Sequence, residues 1–170
     1  MVLTGCMGGP GVVDDGLHCG RTHSPQTPNL RPLLVPVSRE VEPERLTLQF
    51  MHASAATPTV DIQSLPDIEG TGIQLFLATG LSFGRIVPKE PETSYSIDDI
   101  GVATGAELIV YSVNMQQLTA PWSEIAGSTE IAREGSYLAI LLGPALGSTS
   151  ADGFNESRLT LLDTGIGKGE

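Results

Sequence analysis

The sequence predicts an all-β fold: an antiparallel β-sandwich of about seven to nine strands, behind a disordered N-terminal tether. Three observations carry this. From Arg45 onward, apolar and polar residues alternate with a period of two. The apolar runs are short and are separated by Gly, Pro, Asn and Asp turns, with 20 glycines and 12 prolines in 170 residues. No long segment carries a helical period. An open barrel is the alternative closure of the same strands.

The elements follow in order. Residues 7–44 hold six prolines and five glycines. Apart from the apolar patch Leu33-Leu34-Val35 they show no period, which reads as a tether, part coil and part polyproline-like. The charged stretch from Ser38 to Glu44 marks a boundary, giving 1–44 as tether, 45–165 as the sandwich and 166–170 as a disordered tail. Leu46, Leu48 and Phe50 alternate with Thr47, Gln49 and Met51, a strand with one buried face. Val60 and Ile62 alternate with Asp61 and Gln63. Ile73 to Leu77 reads as an inner strand, Leu81 to Ile86 as the next and Ser94 to Ile97 as a weaker one. Glu107 to Val113 and Tyr137 to Leu142 are apolar on both faces, hence central in their sheets. Ile125 to Ile131 reads as an edge strand, with a short helix over Ser123 to Arg133 as the alternative. Arg158 to Leu162 closes the domain.

Composition bounds function. A 40% hydrophobic and 17% charged chain can pack a core. The net charge of -11 argues against nucleic acid and against direct docking on an anionic membrane. No apolar run reaches the length of a membrane-spanning helix. There is no G-x-S-x-G elbow, and Gly101-Val102-Ala103-Thr104-Gly105 lacks the lysine of a phosphate loop.

The most informative stretch is His52-Ala53-Ser54-Ala55-Ala56-Thr57-Pro58-Thr59-Val60-Asp61-Ile62. A strand ends near His52, Ser54 bonds turn backbone, Pro58 holds Thr57 extended, and a second strand begins. Asp61 points away from the face that Val60 and Ile62 bury. His52 shares the parity of Phe50 and can donate to a loop carbonyl or to a carboxylate such as Asp61. One reading is a structural clasp; the other is a catalytic or metal-binding His/Asp pair. The stretch resembles the signature H-x-S-P-x-A-P-x-V-D-V of domain-of-unknown-function family 4397, found in bacterial secreted and surface proteins. It matches at His52, Ser54, Pro58, Val60 and Asp61, and departs at Ala55 and Thr57. Gly80-Leu81-Ser82-Phe83-Gly84 resembles the family's glycine-flanked aromatic strand, and Glu134-Gly135-Ser136-Tyr137 its later Gly-x-Tyr strand. The resemblance implies an immunoglobulin-like sandwich and export. It implies no reaction.

Leu3-Thr4-Gly5-Cys6 resembles a bacterial lipobox, which would make Cys6 the lipidated N-terminus. Only five residues precede Cys6, too few for the basic and apolar regions of a signal peptide. With Cys6 acylated, Cys19 would be an unpaired thiol. His18, Cys19 and His23 cluster in the tether at a spacing that matches no zinc site. Asp152, Asn155 and Glu156 offer oxygen ligands in the loop 147–157, without EF-hand spacing; Asp98-Asp99 is a second acidic spot. Trp122, after Pro121, reads as a partner contact or as the cover of one end of the core. These features together predict an exported, lipid-anchored cell-envelope binding or interaction module. It would have no catalytic activity, cofactor or metal, and its partner would be a protein or glycan of the envelope. The alternatives are an envelope component assembling through sheet edges, and a hydrolase using His52 with a carboxylate.

Overall fold

The computed structural model describes residues 1–5, 19–20, 23–24, 26, 29–34, 36–37, 42–66, 74–89, 94–113, 117–144, 146 and 157–165. The elements are β1 (Val2–Thr4), β2 (Arg31–Leu33), β3 (Leu46–His52), β4 (Val60–Leu65), β5 (Leu75–Leu81), β6 (Ile86–Val87), β7 (Ser94–Tyr95), β8 (Glu107–Ser112), β9 (Gln117–Pro121), α1 (Trp122–Ala126), β10 (Gly135–Leu142) and β11 (Arg158–Asp163). One sheet has the order β11-β10-β3-β6, with β7 also paired to β3; the other has the order β5-β4-β8-β9. Nine strands thus form the all-β sandwich that the alternation predicts. Its pairs are antiparallel except for β3 with β10, which run parallel.

The inward faces build one core. Leu46, Leu48 and Phe50 of β3 meet Tyr137, Ala139 and Leu141 of β10, Leu159 and Leu161 of β11, and Val60, Ile62, Leu108 and Val110 of the opposite sheet. These positions follow the period of two, because successive side chains of a strand point to opposite faces. As expected, β8 and β10 are central in their sheets.

Four local readings are corrected. β3 is buried on both faces, not one, because a second apolar cluster lies on its outer side. There Met51, Ala53, Leu138 and Ile140 pack with Val2, Leu33 and Val37. Part of the stretch read as a disordered tether is therefore a layer of the fold: β1 and β2 pair as an antiparallel hairpin, Val2 opposite Leu33. Second, Leu81 to Ile86 is not a strand. β5 runs through to Leu81, and its N–H at Gly80 (φ +64) reaches the Asp61 carboxylate at 2.7 Å. The chain then turns over residues 82–85. Third, β5 is an edge strand rather than an inner one. Fourth, the edge strand assigned to Ile125–Ile131 is β9 instead, with α1 following it. Leu118 and Ala120 of β9 face the core while Gln117 and Thr119 are exposed.

Tyr137 ties the two sheets' connection to β10. Its hydroxyl accepts from the Ala132 N–H at 2.8 Å and donates to the Glu130 carbonyl at 3.3 Å. A tyrosine at a strand start that bonds backbone a few residues upstream fixes the entry of that strand, as tyrosine corners do in β-sandwiches. Tyr137→Phe removes both bonds and leaves the packing. The expected result is a loss of about 1–2 kcal/mol, read as a lower midpoint in urea with an unchanged slope.

Candidate functional site

The His52–Ile62 stretch forms one end of the sandwich. β3 ends at His52, whose N–H donates to the Arg85 carbonyl at 3.1 Å and whose carbonyl accepts from Gly84 N–H at 2.8 Å. The imidazole is fully buried. Its Nε2 lies 2.9 Å from the Pro58 carbonyl. A carbonyl can only accept, so Nε2 carries a proton and donates it to Pro58. Nδ1 is buried with no hydrogen-bond partner. Phe83 meets the ring edge-to-face, centroids 6.2 Å apart. Burial lowers the His52 pKa below its ordinary value, against the opposing pull of the Pro58 and Thr57 carbonyls.

Around this ring the turn closes on itself. The Ser54 and Thr57 hydroxyls are 2.7 Å apart and lie 2.9 and 3.0 Å from the Pro144 carbonyl. Ser157 Oγ donates to the same carbonyl at 2.9 Å. Thr57, where the sequence departs from the signature, thus supplies a hydroxyl to a buried polar knot. Pro58 presents the carbonyl that holds His52. Gly20 (φ +78) lies against the same turn, so closely that a Cβ there would collide with the Ala55 carbonyl.

Asp61 does not join His52. Its carboxylate is taken by Gly80 N–H on the neighbouring strand. The His/Asp pairing is therefore corrected to His52 with Pro58, and Asp61 with β5. His52 has no solvent access, and its one proton is held against a carbonyl. Ser54, the nearest hydroxyl in the motif, is itself buried and bonded. Such a ring can pin a turn; it is not placed to pass protons to a substrate.

Trp122 is also not a surface contact. It is buried, with Nε1–H donating to the Ile100 carbonyl at 3.0 Å, which Ser64 Oγ also reaches at 2.6 Å. Here Trp122 caps one end of the core. It floors a recess of about 300 Å³ that Val102, Ala126, Thr129 and Ile131 also line. Asp98, in the acidic spot, pairs with Arg133 at 3.4 Å. Among the described residues no group of three or more His, Cys, Asp or Glu side chains could hold a metal. His23 is buried, while His18, Cys6 and the loop residues Asp152, Asn155 and Glu156 lie outside the described residues.

Cys19 is buried and disulfide-bonded. Its carbonyl accepts from Asn29 Nδ2 at 2.7 Å. The expectation of an unpaired Cys19 thiol is thereby corrected.

No family model matches the chain, and neither does any curated protein or solved structure.

The residues that sequence reasoning missed as candidates lie on the outer face of the second sheet. Phe76 is 54% exposed there, opposite Gln63 and in one row with Ile109, both of which are buried. Parity along β4 and β8 does place these side chains outward. The pairing register that groups them is set by long-range contacts, and the alternation of single strands does not carry it.

Proposed function

We propose that the protein is an exported cell-envelope binding module without a catalytic role. The disulfide-bonded, buried Cys19 carries this reading. Disulfides form and persist in oxidising compartments outside the cytosol. The geometry of His52 supports the non-catalytic part, since the only histidine of residues 45–165 is occupied as a turn pin. The acidic surface favours a partner other than nucleic acid or an anionic membrane. The resemblance to family 4397 at residues 52–62, 80–84 and 134–137 agrees with export. A lipid anchor at Cys6 is not part of the proposed module. Lipobox cleavage would remove residues 1–5, and with them β1, whose Val2 packs into the second apolar cluster.

Thiol trapping in the native host tests this. Intact cells are quenched in acid, and the protein is treated with a maleimide-polyethylene glycol before and after reduction. No shift before reduction and a two-thiol shift after it, in a non-cytosolic fraction, is the expected result. Two reactive thiols in the cytosolic fraction would overturn it.

A further inference from the structure

We propose that the N-terminal layer is an acid-released cover: proton uptake by His52 loosens β1, β2 and the segment at Cys19 and Gly20 from the outer face of the β3–β10 pair. This goes beyond the binding module of the preceding section and does not rest on it.

The layer is attached without a shared sheet. β1 and β2 pair with each other and belong to neither main sheet. Side chains and single contacts make the hold. Val2, Leu33 and Val37 lie on Met51, Ala53, Leu138 and Ile140, and Gln49 Nε2 donates to the Pro36 carbonyl at 3.3 Å. Two further contacts fall on the His52 turn itself. Gly20 (φ +78) sits so close to the Ala55 carbonyl that a Cβ has no room. The Arg31 guanidinium lies 4.6 Å over the Phe83 ring, and that ring meets His52 edge-to-face. Segments held by so few contacts open at lower cost than the central strands.

The turn has no place for a charged imidazole. Nε2 faces the Pro58 carbonyl, and Nδ1 is buried without a partner. A proton added at Nδ1 would create a buried N–H that nothing accepts. The groups around the ring supply no counter-charge. They are the Thr57 and Pro58 carbonyls of the turn, Phe83 and the backbone of Gly84 and Arg85, and apolar Leu141, level with His52 on β10. Asp61 of β4 is committed to Gly80 N–H. Pro144 and Ser157, which close the polar knot, are uncharged. The layer contributes a cation, Arg31, which shares Phe83 with the imidazole; like charge disfavours the imidazolium further. A closed site therefore resists the proton, while an opened one takes it near the ordinary value of about 6.5. Below that pH, opening gains on closing by up to about 10-fold per unit. The parts that give way are the 53–59 turn and Phe83, where Gly20 and Arg31 rest.

Hydrogen exchange of the full chain tests this, read by mass spectrometry at pH 7.5 and 5.5 and expressed as protection relative to the unfolded-chain rate. Protection of β1 and β2 should fall about 10-fold at pH 5.5, while β4 and β8 keep theirs. In His52→Gln the side-chain amide still donates to Pro58 but cannot titrate, and the fall should disappear. His23 is the other buried histidine of the layer; His23→Gln should keep the fall. Gly20→Ala forces the layer off the turn without touching His52. It should lower protection of β1 and β2 already at pH 7.5, and it reads the same coupling if His52→Gln folds poorly. The proposal is overturned by equal protection at both pH values, by a fall that β4 and β8 share, or by one that persists in His52→Gln or vanishes in His23→Gln. A Gly20→Ala layer as well protected as the natural one would overturn it too.

Discussion

His52→Ala is expected to lower stability by on the order of 3 kcal/mol, seen as a shifted urea midpoint. Two causes add. The substitution empties a fully buried ring site beside Phe83, and large-to-small changes in packed interiors cost a transfer term and a cavity term. It also orphans the Pro58 carbonyl, which His52 Nε2–H satisfies at 2.9 Å. The same site predicts a pH dependence. The folded-state pKa of His52 lies below its ordinary value because burial disfavours the imidazolium. The unfolded chain takes up the proton near the ordinary value of about 6.5. The stability that the neutral ring supplies is complete above that pH. It is lost as pH falls from there toward the depressed folded value, with a limiting slope of about 1.4 kcal/mol per pH unit. In His52→Gln this part of the slope between pH 7.5 and 5 should vanish. A hydrolase using His52 would behave otherwise: the variants would stay stable and lose only activity.

The motif illustrates which parts of the molecule local sequence carries. Parity put His52 at the end of the buried face of β3, and the Pro58 turn put a carbonyl within its reach. Both are properties of a few adjacent residues. The period of two in β3, the continuous apolar runs of β8 and β10, and the closing strand β11 were legible for the same reason. What was not legible depends on distant partners. Met51 looks like part of a solvent face until Val2 and Leu33 of the β1–β2 hairpin pack with it, and Gln49 until the Pro36 and Pro88 carbonyls take its amide. Gly80 looks like a strand end until Asp61, 19 residues earlier, takes its N–H. Trp122 looks like surface because it follows a proline, yet the Ile100 carbonyl draws its indole inward. The row of Phe76, Gln63, Ile109 and Thr119 belongs to this second group: each residue is ordinary alone, and only the register of four strands brings them together.

The N-terminal layer leads to the largest expected effect. Deleting residues 1–37 should cost on the order of 5 kcal/mol and leave a chain that self-associates. Met51, Ala53, Leu138 and Ile140 form an apolar patch on the outside of the β3–β10 pair, and Val2, Leu33 and Val37 cover it. Re-exposing such side chains costs about 1–2 kcal/mol each. The deletion also removes the Arg31 guanidinium, 4.6 Å over the Phe83 ring that abuts His52. With it goes the Pro36 carbonyl, which accepts from buried Gln49 Nε2 at 3.3 Å. Total stabilities of 5–15 kcal/mol leave little margin for such a loss. The measurements are circular dichroism melting and sedimentation velocity on the full and shortened chains. A flexible lipoprotein tether makes the opposite prediction, since a stalk can be cut from a domain without changing its Tm. The Cys19→Ser chain gives the graded version: with the covalent closure gone but Val2 and Leu33 present, the melt should fall between the two. An order of full chain, Cys19→Ser, then deletion would assign the layer to the fold. Equal melting of all three would return it to the role of a tether.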